Sequence, residues 1–158
     1  MDERTERFIE RMGQFFEAEA GPRIAGRLFG LLLLLPGALS LDEIAERLQV
    51  SKASVSANAR MLEQLNVIGR LTKPGDRRDY YAVTEDTQRR LIELRLQRLV
   101  ALQELFGEAL TTASAQEDES VRERLRLFQD SFEMMTETVR RIRDGIPVAV
   151  PGADREAI

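Results

Sequence analysis

Cysteine and histidine are both absent from this chain of 158 residues. Their absence excludes disulfides, zinc sites built from Cys and His, imidazole bases, and Cys-His or Ser-His-Asp catalysis. It also excludes thiol-based sensing of oxidants. The consecutive acids Glu117, Asp118 and Glu119 are interpreted as a favourable helix start rather than a metal cluster. We therefore predict that the protein is not an enzyme and holds neither a metal nor a cofactor.

Long apolar runs are missing as well. The run from Leu28 to Leu35 has eight residues between Arg27 and Pro36, whereas a membrane-spanning helix needs roughly 20. This run predicts a buried core helix. Residues 1–11 are charged and lack the order of a signal peptide, so we expect a cytoplasmic protein with no membrane partner.

The net charge of −4 by itself argues against a nucleic-acid-binding protein, but the distribution of charge argues the other way. Residues 52–78 hold six basic side chains and two acidic ones, so this window carries +4 and the rest of the chain carries −8. A basic window in an acidic chain is a candidate contact for an anionic partner.

Length and composition predict a single domain over residues 1–158, with 43% hydrophobic residues to form a core. The fold class that we predict is mainly α with a small two-stranded β wing. A winged helix-turn-helix is expected over about 37–84, with N- and C-terminal dimerisation helices over about 2–20, 85–113 and 118–144. The tail, residues 147–158, has no periodicity and is expected to be mobile.

Two short helices are predicted in the middle of the chain. Ser40 and Glu43 form a capping box that starts a helix at residue 41 and runs to about Gln49. Ser51 can cap the next helix, whose apolar face is Val55, Ala59 and Leu62. A connection of three residues between two such helices is typical of a helix-turn-helix.

A β-hairpin is predicted after these helices. Residues 67–72 have strand character, and the turn at residues 73–76 places Pro74 and Gly75 where a type II turn requires them. Residues 79–83 form the returning strand, and Thr84 is the expected cap of a long helix. The hairpin is therefore predicted to be the wing.

The terminal helices carry apolar stripes that are candidates for a dimer interface. In the first helix the stripe either packs on its own core or faces a second subunit. In the last helix apolar residues alternate at spacings of four and three, the a/d pattern of a packed helix pair. The predicted interface residues are Phe8, Met12, Phe15, Val121, Leu125, Phe128, Phe132, Met135 and Val139.

The second short helix is the candidate DNA reader, because such a helix fits the major groove while a wing reaches the minor groove or the backbone. If Val55, Ala59 and Leu62 face the core, the opposite face is small, hydroxylated and basic. Asn58 is expected to be a structural hydrogen-bonder, and Asp76 to orient a wing arginine. The predicted DNA contacts are Ser51, Lys52, Ser54, Ser56, Ala57, Arg60, Lys73, Arg77 and Arg78.

The segments Ser51–Glu63 and Pro74–Tyr81 resemble the winged-helix core of the MarR superfamily, and Gly21-Pro22-Arg23 is similar to its GbsR-like branch. The resemblance implies a homodimeric bacterial transcription regulator, usually a repressor, that binds inverted-repeat operators in double-stranded DNA. By the same resemblance Arg78 enters the minor groove, and an unidentified small-molecule effector modulates binding.

A second class of function is a winged-helix adaptor that binds another protein through its last helix without sequence-specific DNA binding. Such an adaptor does not need basic residues on the wing or on the short helix capped by Ser51. Retention on heparin or random duplex DNA with steep elution by salt distinguishes a DNA reader from this adaptor.

Overall fold

The computed structural model describes residues 1–145. The predicted mobile tail, residues 147–158, lies outside the described residues. The chain divides into two compact units, Met1–Thr87 and Gln88–Ile158. A single domain over 1–158 stays a prediction.

The first unit begins with two closely packed helices, α1 (Glu3–Ala18) and α2 (Arg23–Leu34). Asp2 caps α1 through Oδ1, which accepts the backbone N–H groups of Arg4 and Thr5 at 3.0 and 3.1 Å. Pro22 occupies the N-cap position of α2. The predicted core helix over Leu28–Leu35 is confirmed only in part: Leu28, Leu31 and Leu32 are buried, whereas Leu33 and Leu34 are 44% and 43% exposed and Leu35 lies beyond the end of α2.

Glycines bring α1 and α2 together. A Cβ at Gly26 would overlap the Met12 carbonyl oxygen, and one at Gly30 would lie 3.0 Å from the Met12 Cβ. A Cβ at Gly13 would overlap the Arg27 side chain. The two backbones therefore approach more closely than alanine would allow.

The helix-turn-helix follows as predicted. A short strand, β1 (Leu39–Ser40), leads into α3 (Leu41–Leu48), and α4 covers Lys52–Gln64. The capping box is present, because the Ser40 N–H donates to Glu43 Oε2 at 2.8 Å and the Glu43 N–H donates to Ser40 Oγ. Ser51 caps α4 through its hydroxyl, which accepts the Ser54 N–H at 3.2 Å.

The wing is the hairpin of β2 (Gly69–Thr72) and β3 (Asp79–Ala82). Its turn has the predicted geometry, with the Asp76 N–H donating to the Lys73 carbonyl at 3.1 Å and Gly75 at a φ of +78°. The sheet has three antiparallel strands in the order β1-β3-β2, so it contains one strand more than predicted. A strand of two residues is too short to show an alternating pattern.

The long helix α5 (Thr87–Ala109) begins three residues after the predicted cap. The hydroxyl of Thr87 accepts the Thr84 N–H at 2.9 Å and donates to the Val67 carbonyl at 3.0 Å. Thr87 is buried and Thr84 is exposed. The bond to the Val67 carbonyl, two residues before β2, therefore makes Thr87 rather than Thr84 the buried threonine at this position.

The second unit also contains a short helix, α6 (Ala113–Glu117), in the interval between the helices predicted over about 85–113 and 118–144, and a long one, α7 (Glu119–Gly145). Asp118 caps α7 by accepting the Ser120 N–H at 2.8 Å. The Phe106 ring of α5 stacks on Phe128 and Phe132 of α7, with centroids 5.2 and 5.4 Å apart. Aromatic packing thus joins the two long helices.

Candidate nucleic-acid interface

The exposed face of α4 has the composition that the sequence predicted. Val55, Ala59 and Leu62 are buried. The exposed residues on the other side are Lys52, Ala53, Ala57 and Arg60, flanked by the half-buried Ser54 and Ser56. The face is small enough for close approach to base edges, and its hydroxyls can donate or accept there.

Hydrogen bonds within α4 separate structural groups from available ones. The Asn58 side-chain amide donates to the Ser54 carbonyl at 2.8 Å, as expected for a structural hydrogen-bonder. Arg60 Nη2 donates to Ser56 Oγ at 3.1 Å. This bond directs the Arg60 guanidinium along the exposed face and uses only one of its five N–H groups.

Lys52, at the start of α4, has an acidic neighbour that the sequence did not reveal. Its Nζ lies 2.7 Å from Asp42 Oδ1 of α3, and both side chains are more than half exposed. An ion pair so exposed to solvent contributes little to stability. Lys52 can therefore exchange Asp42 for a phosphate at small cost.

The wing tip is organised around Asp76. Its carboxylate accepts Arg78 Nη2 at 2.6 Å and Nε at 3.0 Å through Oδ2, and the Arg78 backbone N–H at 2.9 Å through Oδ1. The Tyr80 hydroxyl also donates to Oδ2, at 2.7 Å. The bonds from Arg78 and then from Tyr80 hold the pKa of Asp76 far below its ordinary value. The predicted ion pair between Asp76 and a wing arginine is present, and the arginine is Arg78.

Each of the three predicted wing cations has a different environment. Arg78 gives Asp76 its Nε–H and one Nη2 hydrogen, so three of its five N–H groups remain free. Arg77 is exposed and makes no ion pair or hydrogen bond to any residue within 1–145. The Nζ of Lys73 lies 3.8 Å from the centroid of the Tyr80 ring. All three can meet an external anion.

Arg70 is a basic residue of the window that pairs with two carboxylates. Its Nε lies 3.2 Å from a Glu63 carboxylate oxygen, and its Nη1 lies 3.5 Å from one of Asp79. Arg70 is not among the predicted DNA contacts, and these two acidic partners are consistent with that choice.

The predicted interface residues of the N-terminal helix differ in exposure. Phe15 is 56% exposed and Phe8 is 38% exposed. Met12 is half-buried and its Cβ faces Gly30 of α2. Most of the Met12 contact is thus made within the chain, which leaves two phenylalanines as the exposed part of this stripe.

The predicted interface residues of α7 also fall into two groups. Val121, Leu125, Phe132 and Val139 are half-buried, whereas Phe128 is 55% and Met135 is 47% exposed. Three more large apolar side chains of α7 are exposed: Leu127, Met134 and Ile142.

Two further features, a metal site and a membrane-spanning helix, are absent from residues 1–145. Within residues 1–145, no group of three acidic residues is arranged to hold a metal ion. Over the same residues, no helix combines the length and the apolar character needed to cross a membrane.

A helix-turn-helix followed by a β-hairpin, with basic side chains on both, defines the winged-helix class of DNA-binding domains. A sequence profile described as the MarR family matches residues 34–80, which run from the end of α2 into β3. The HTH-type transcriptional regulator MmpR5 of Mycobacterium tuberculosis is 38% identical over 120 residues, a match that covers 73% of each chain. The crystal structure of a transcriptional regulator is 33% identical, with a TM-score of 0.71, over 89% of this chain and 95% of that one.

The chain belongs to the MarR family. It is a DNA-binding transcriptional regulator with a winged helix, and it is not an enzyme. The predictions of the fold class and of a regulatory rather than a catalytic role are thereby confirmed.

Proposed function

We propose that this protein is a homodimeric, cytoplasmic repressor of the GbsR-like branch that binds an inverted-repeat operator and is modulated by a small-molecule effector. The observation that carries the proposal is the pairing of two surfaces in the first unit. One is the small, hydroxylated face of α4, and the other is the cluster of Lys73, Arg77 and Arg78 on the wing.

The face of α4 suits direct readout of bases in the major groove. Ala57 and Ser56 add little bulk, so a base edge can approach the helix, and the Ser56 and Ser54 hydroxyls can donate or accept a hydrogen bond. Ser51, Lys52 and Arg60 lie toward the two ends of the helix, where phosphate contacts would set its register.

The wing suits a different contact. A narrow hairpin tip with Arg77 and Arg78 cannot cover a major groove, but arginine is favoured in a narrow minor groove, where the potential is most negative. The free N–H groups of Arg78 and the unpaired Arg77 are therefore assigned to the minor groove or to phosphates.

The proposal of a homodimer rests on apolar surface. Phe8 and Phe15 on α1 and the exposed apolar residues of α7 are large side chains in water, and a second copy of the chain would cover them. A dimer with two-fold symmetry presents two copies of α4 to successive major grooves, with half-sites about 10 bp apart. An inverted repeat follows from that symmetry.

Repression, the effector and the GbsR-like assignment rest on the resemblance of the helix-turn-helix and wing sequences. A quaternary ammonium ligand would favour a Trp or Tyr face, but the chain has no Trp and one face of Tyr80 is occupied by Lys73.

The test is selection of bound duplexes from a random pool by the purified protein. We expect an inverted repeat, and replacing Ser56 or Ala57 should change the base sequence that is preferred within each half-site. A direct repeat or a single half-site as the best ligand would contradict binding by a dimer with two-fold symmetry. Transcription in vitro from a promoter that overlaps the selected site should fall when the protein is added, and a rise would overturn repression.

The wing contact is tested by Arg78→Ala and Arg77→Ala. Each should weaken specific and non-specific binding, and each lost phosphate contact should reduce the log-log salt slope by about one per subunit. The matched control is Arg70→Gln in the same window, whose side chain is already paired with two carboxylates. Unchanged affinity and slope in both wing variants would remove the wing from the interface.

The adaptor alternative predicts a different outcome on heparin and random duplex DNA. A DNA reader is retained and elutes steeply with salt, whereas the adaptor passes through. Flow-through of the folded protein at low salt would favour the adaptor.

A further inference from the structure

We propose that Tyr80 is a positioning residue for the wing. Its hydroxyl orients Arg78 toward DNA through Asp76, and its ring face orients Lys73. The inference rests on the proposed wing contact. It assigns a role to a residue that sequence reasoning counted only as part of a strand.

The ring of Tyr80 is held firmly by the sheet. Tyr80 lies on the central strand β3, opposite Leu71 of β2 and Ser40 of β1, and it is 3% exposed. Ser40 is the capping residue of α3. The sheet therefore fixes the position of the ring relative to the helix-turn-helix rather than to the tip of the hairpin.

The hydroxyl of Tyr80 reaches the tip from this fixed base. It donates to Asp76 Oδ2 at 2.7 Å, the same oxygen that accepts Arg78 Nη2 at 2.6 Å. An exposed ion pair between Asp76 and Arg78 alone would be weakly held. The hydrogen bond from Tyr80 fixes the Asp76 carboxylate, and the carboxylate in turn fixes the plane of the Arg78 guanidinium.

The ring face of Tyr80 holds the second cation. The Nζ of Lys73 lies 3.8 Å from the ring centroid, and the Cζ of Arg78 lies 5.5 Å from it. Both distances are within the range of a cation–π contact. One side chain thus contacts three of the four charged groups in the turn: Lys73, Asp76 and Arg78.

This arrangement reduces the entropy that binding must remove. The free N–H groups of Arg78 already point in one direction before DNA arrives, so fewer rotamers are lost on contact. Tyr80 does not itself need to touch DNA for this effect, because it is buried.

Tyr81 provides a matched control in the next position. It is also 3% exposed, but successive strand residues point to opposite faces of a sheet. Within residues 1–145 its hydroxyl makes no hydrogen bond to Asp76 or to any other group. Tyr81→Phe removes the same atom from the same strand without touching the tip.

The experiment compares Tyr80→Phe and Tyr81→Phe in the full-length protein with the selected duplex. We expect Tyr80→Phe to weaken binding about three- to tenfold, the net contribution of one typical hydrogen bond, and Tyr81→Phe to leave it unchanged. Combining Tyr80→Phe with Arg78→Ala should add little to the loss from Arg78→Ala alone. Equal thermal midpoints of the two phenylalanine variants would show that folding is not the cause.

A readout without DNA tests the positioning itself. The Nε–H signal of Arg78 in an NMR spectrum should be protected from exchange in the unaltered protein and in Tyr81→Phe, and should lose protection in Tyr80→Phe. Loss of affinity in Arg78→Ala with wild-type affinity and protection in Tyr80→Phe would overturn the positioning role alone. No effect of Arg78→Ala on binding would overturn the wing contact and this role together.

Discussion

Two helix pairs in this molecule were predicted from the same kind of apolar stripe, yet they are built differently. The α1–α2 pair closes through Gly13, Gly26 and Gly30, which let one backbone meet the other. The pair of α5 and α7 is joined by the rings of Phe106, Phe128 and Phe132. The first pair has no room for a methyl group at Gly26, whereas a Cβ at Gly107 in the second pair would meet only a side-chain amide, 3.3 Å away.

This difference shows how much an apolar stripe in the sequence predicts about the partner of a helix. An apolar face indicates that something covers it, but not whether that partner is the same chain or a second copy. In α1 the glycines of α2 answer the question for Met12. In α7 the exposed Met135 and Ile142 have no such partner among the described residues, and this is the face that we assign to the dimer.

The largest effect is expected on α7. Met135→Glu combined with Ile142→Glu places charges on two exposed stripe residues outside the Phe stack and should convert the proposed dimer to an 18.0 kDa monomer. Light scattering at micromolar concentration measures this change. Arg126→Glu changes the net charge by the same amount at an exposed residue on the opposite side of the helix from Met135. It is the matched control and should leave the mass of a dimer. A dimer that persists in the double variant would place the interface elsewhere.

The next largest effect is expected at the contact of α1 with α2. Gly26→Ala places a methyl group against the Met12 carbonyl, which is backbone and cannot rotate away. Overpacking of this kind should lower the free energy of unfolding by about 1–3 kcal/mol. Urea denaturation measures it, and a stabilised Gly26→Ala protein would show that the two helices can separate at little cost.

The same substitution should have the opposite sign between the long helices. A Cβ at Gly107 would meet only the flexible amide of Gln129, at 3.3 Å. Gly107→Ala should therefore stabilise α5 by up to about 1 kcal/mol, because alanine favours a helix more than glycine does. A loss in this variant as large as in Gly26→Ala would erase the contrast between the two pairs.

The smallest effect is a dependence on pH that belongs to the first pair. Glu10 of α1 forms ion pairs with Arg23 and Arg27 of α2, and the hydrogen bond from Arg23 lowers the pKa of Glu10 below its ordinary 4.5. A lowered pKa in the folded state stabilises the protein above pH 4.5, and this contribution is lost as the pH falls through the folded value. Glu10→Gln should remove part of the acid-side decline in stability, measured as midpoints from pH 6 to about 3. An identical decline in both proteins would assign it to other carboxylates.

The local signals could be predicted from the sequence, because each involves groups no more than three residues apart. Ser40 with Glu43, Ser51 with Ser54, and Pro74 with Gly75 determine where helices begin and where the hairpin turns, and all three were predicted. The buried face of α4 followed from the helical period alone.

Contacts between elements were not readable in this way. The partner of Lys52 is Asp42 of the preceding helix, and Arg27 donates to the Leu48 carbonyl at 3.0 Å across 21 positions of the chain. The role of the Tyr80 hydroxyl depends on strand register, since a shift of one residue would turn Tyr81 to the same face. Positions 80 and 81 are both tyrosine, so the sequence does not indicate which hydroxyl lies beside Asp76.

The sequence by itself determined the order of the main helices and of the two wing strands, the ends of the helix-turn-helix helices and the basic window, because backbone conformation near a cap or turn follows from neighbouring residues. The tertiary structure alone decided which of two threonines bonds the Val67 carbonyl, which tyrosine hydroxyl bonds Asp76, and which wing arginine forms an ion pair within residues 1–145. These outcomes depend on distances between atoms far apart in the chain. Hydrogen bonds and ion pairs weaken within about an ångström of their best separation, so only the folded arrangement of α3, α4 and the sheet can select the partners.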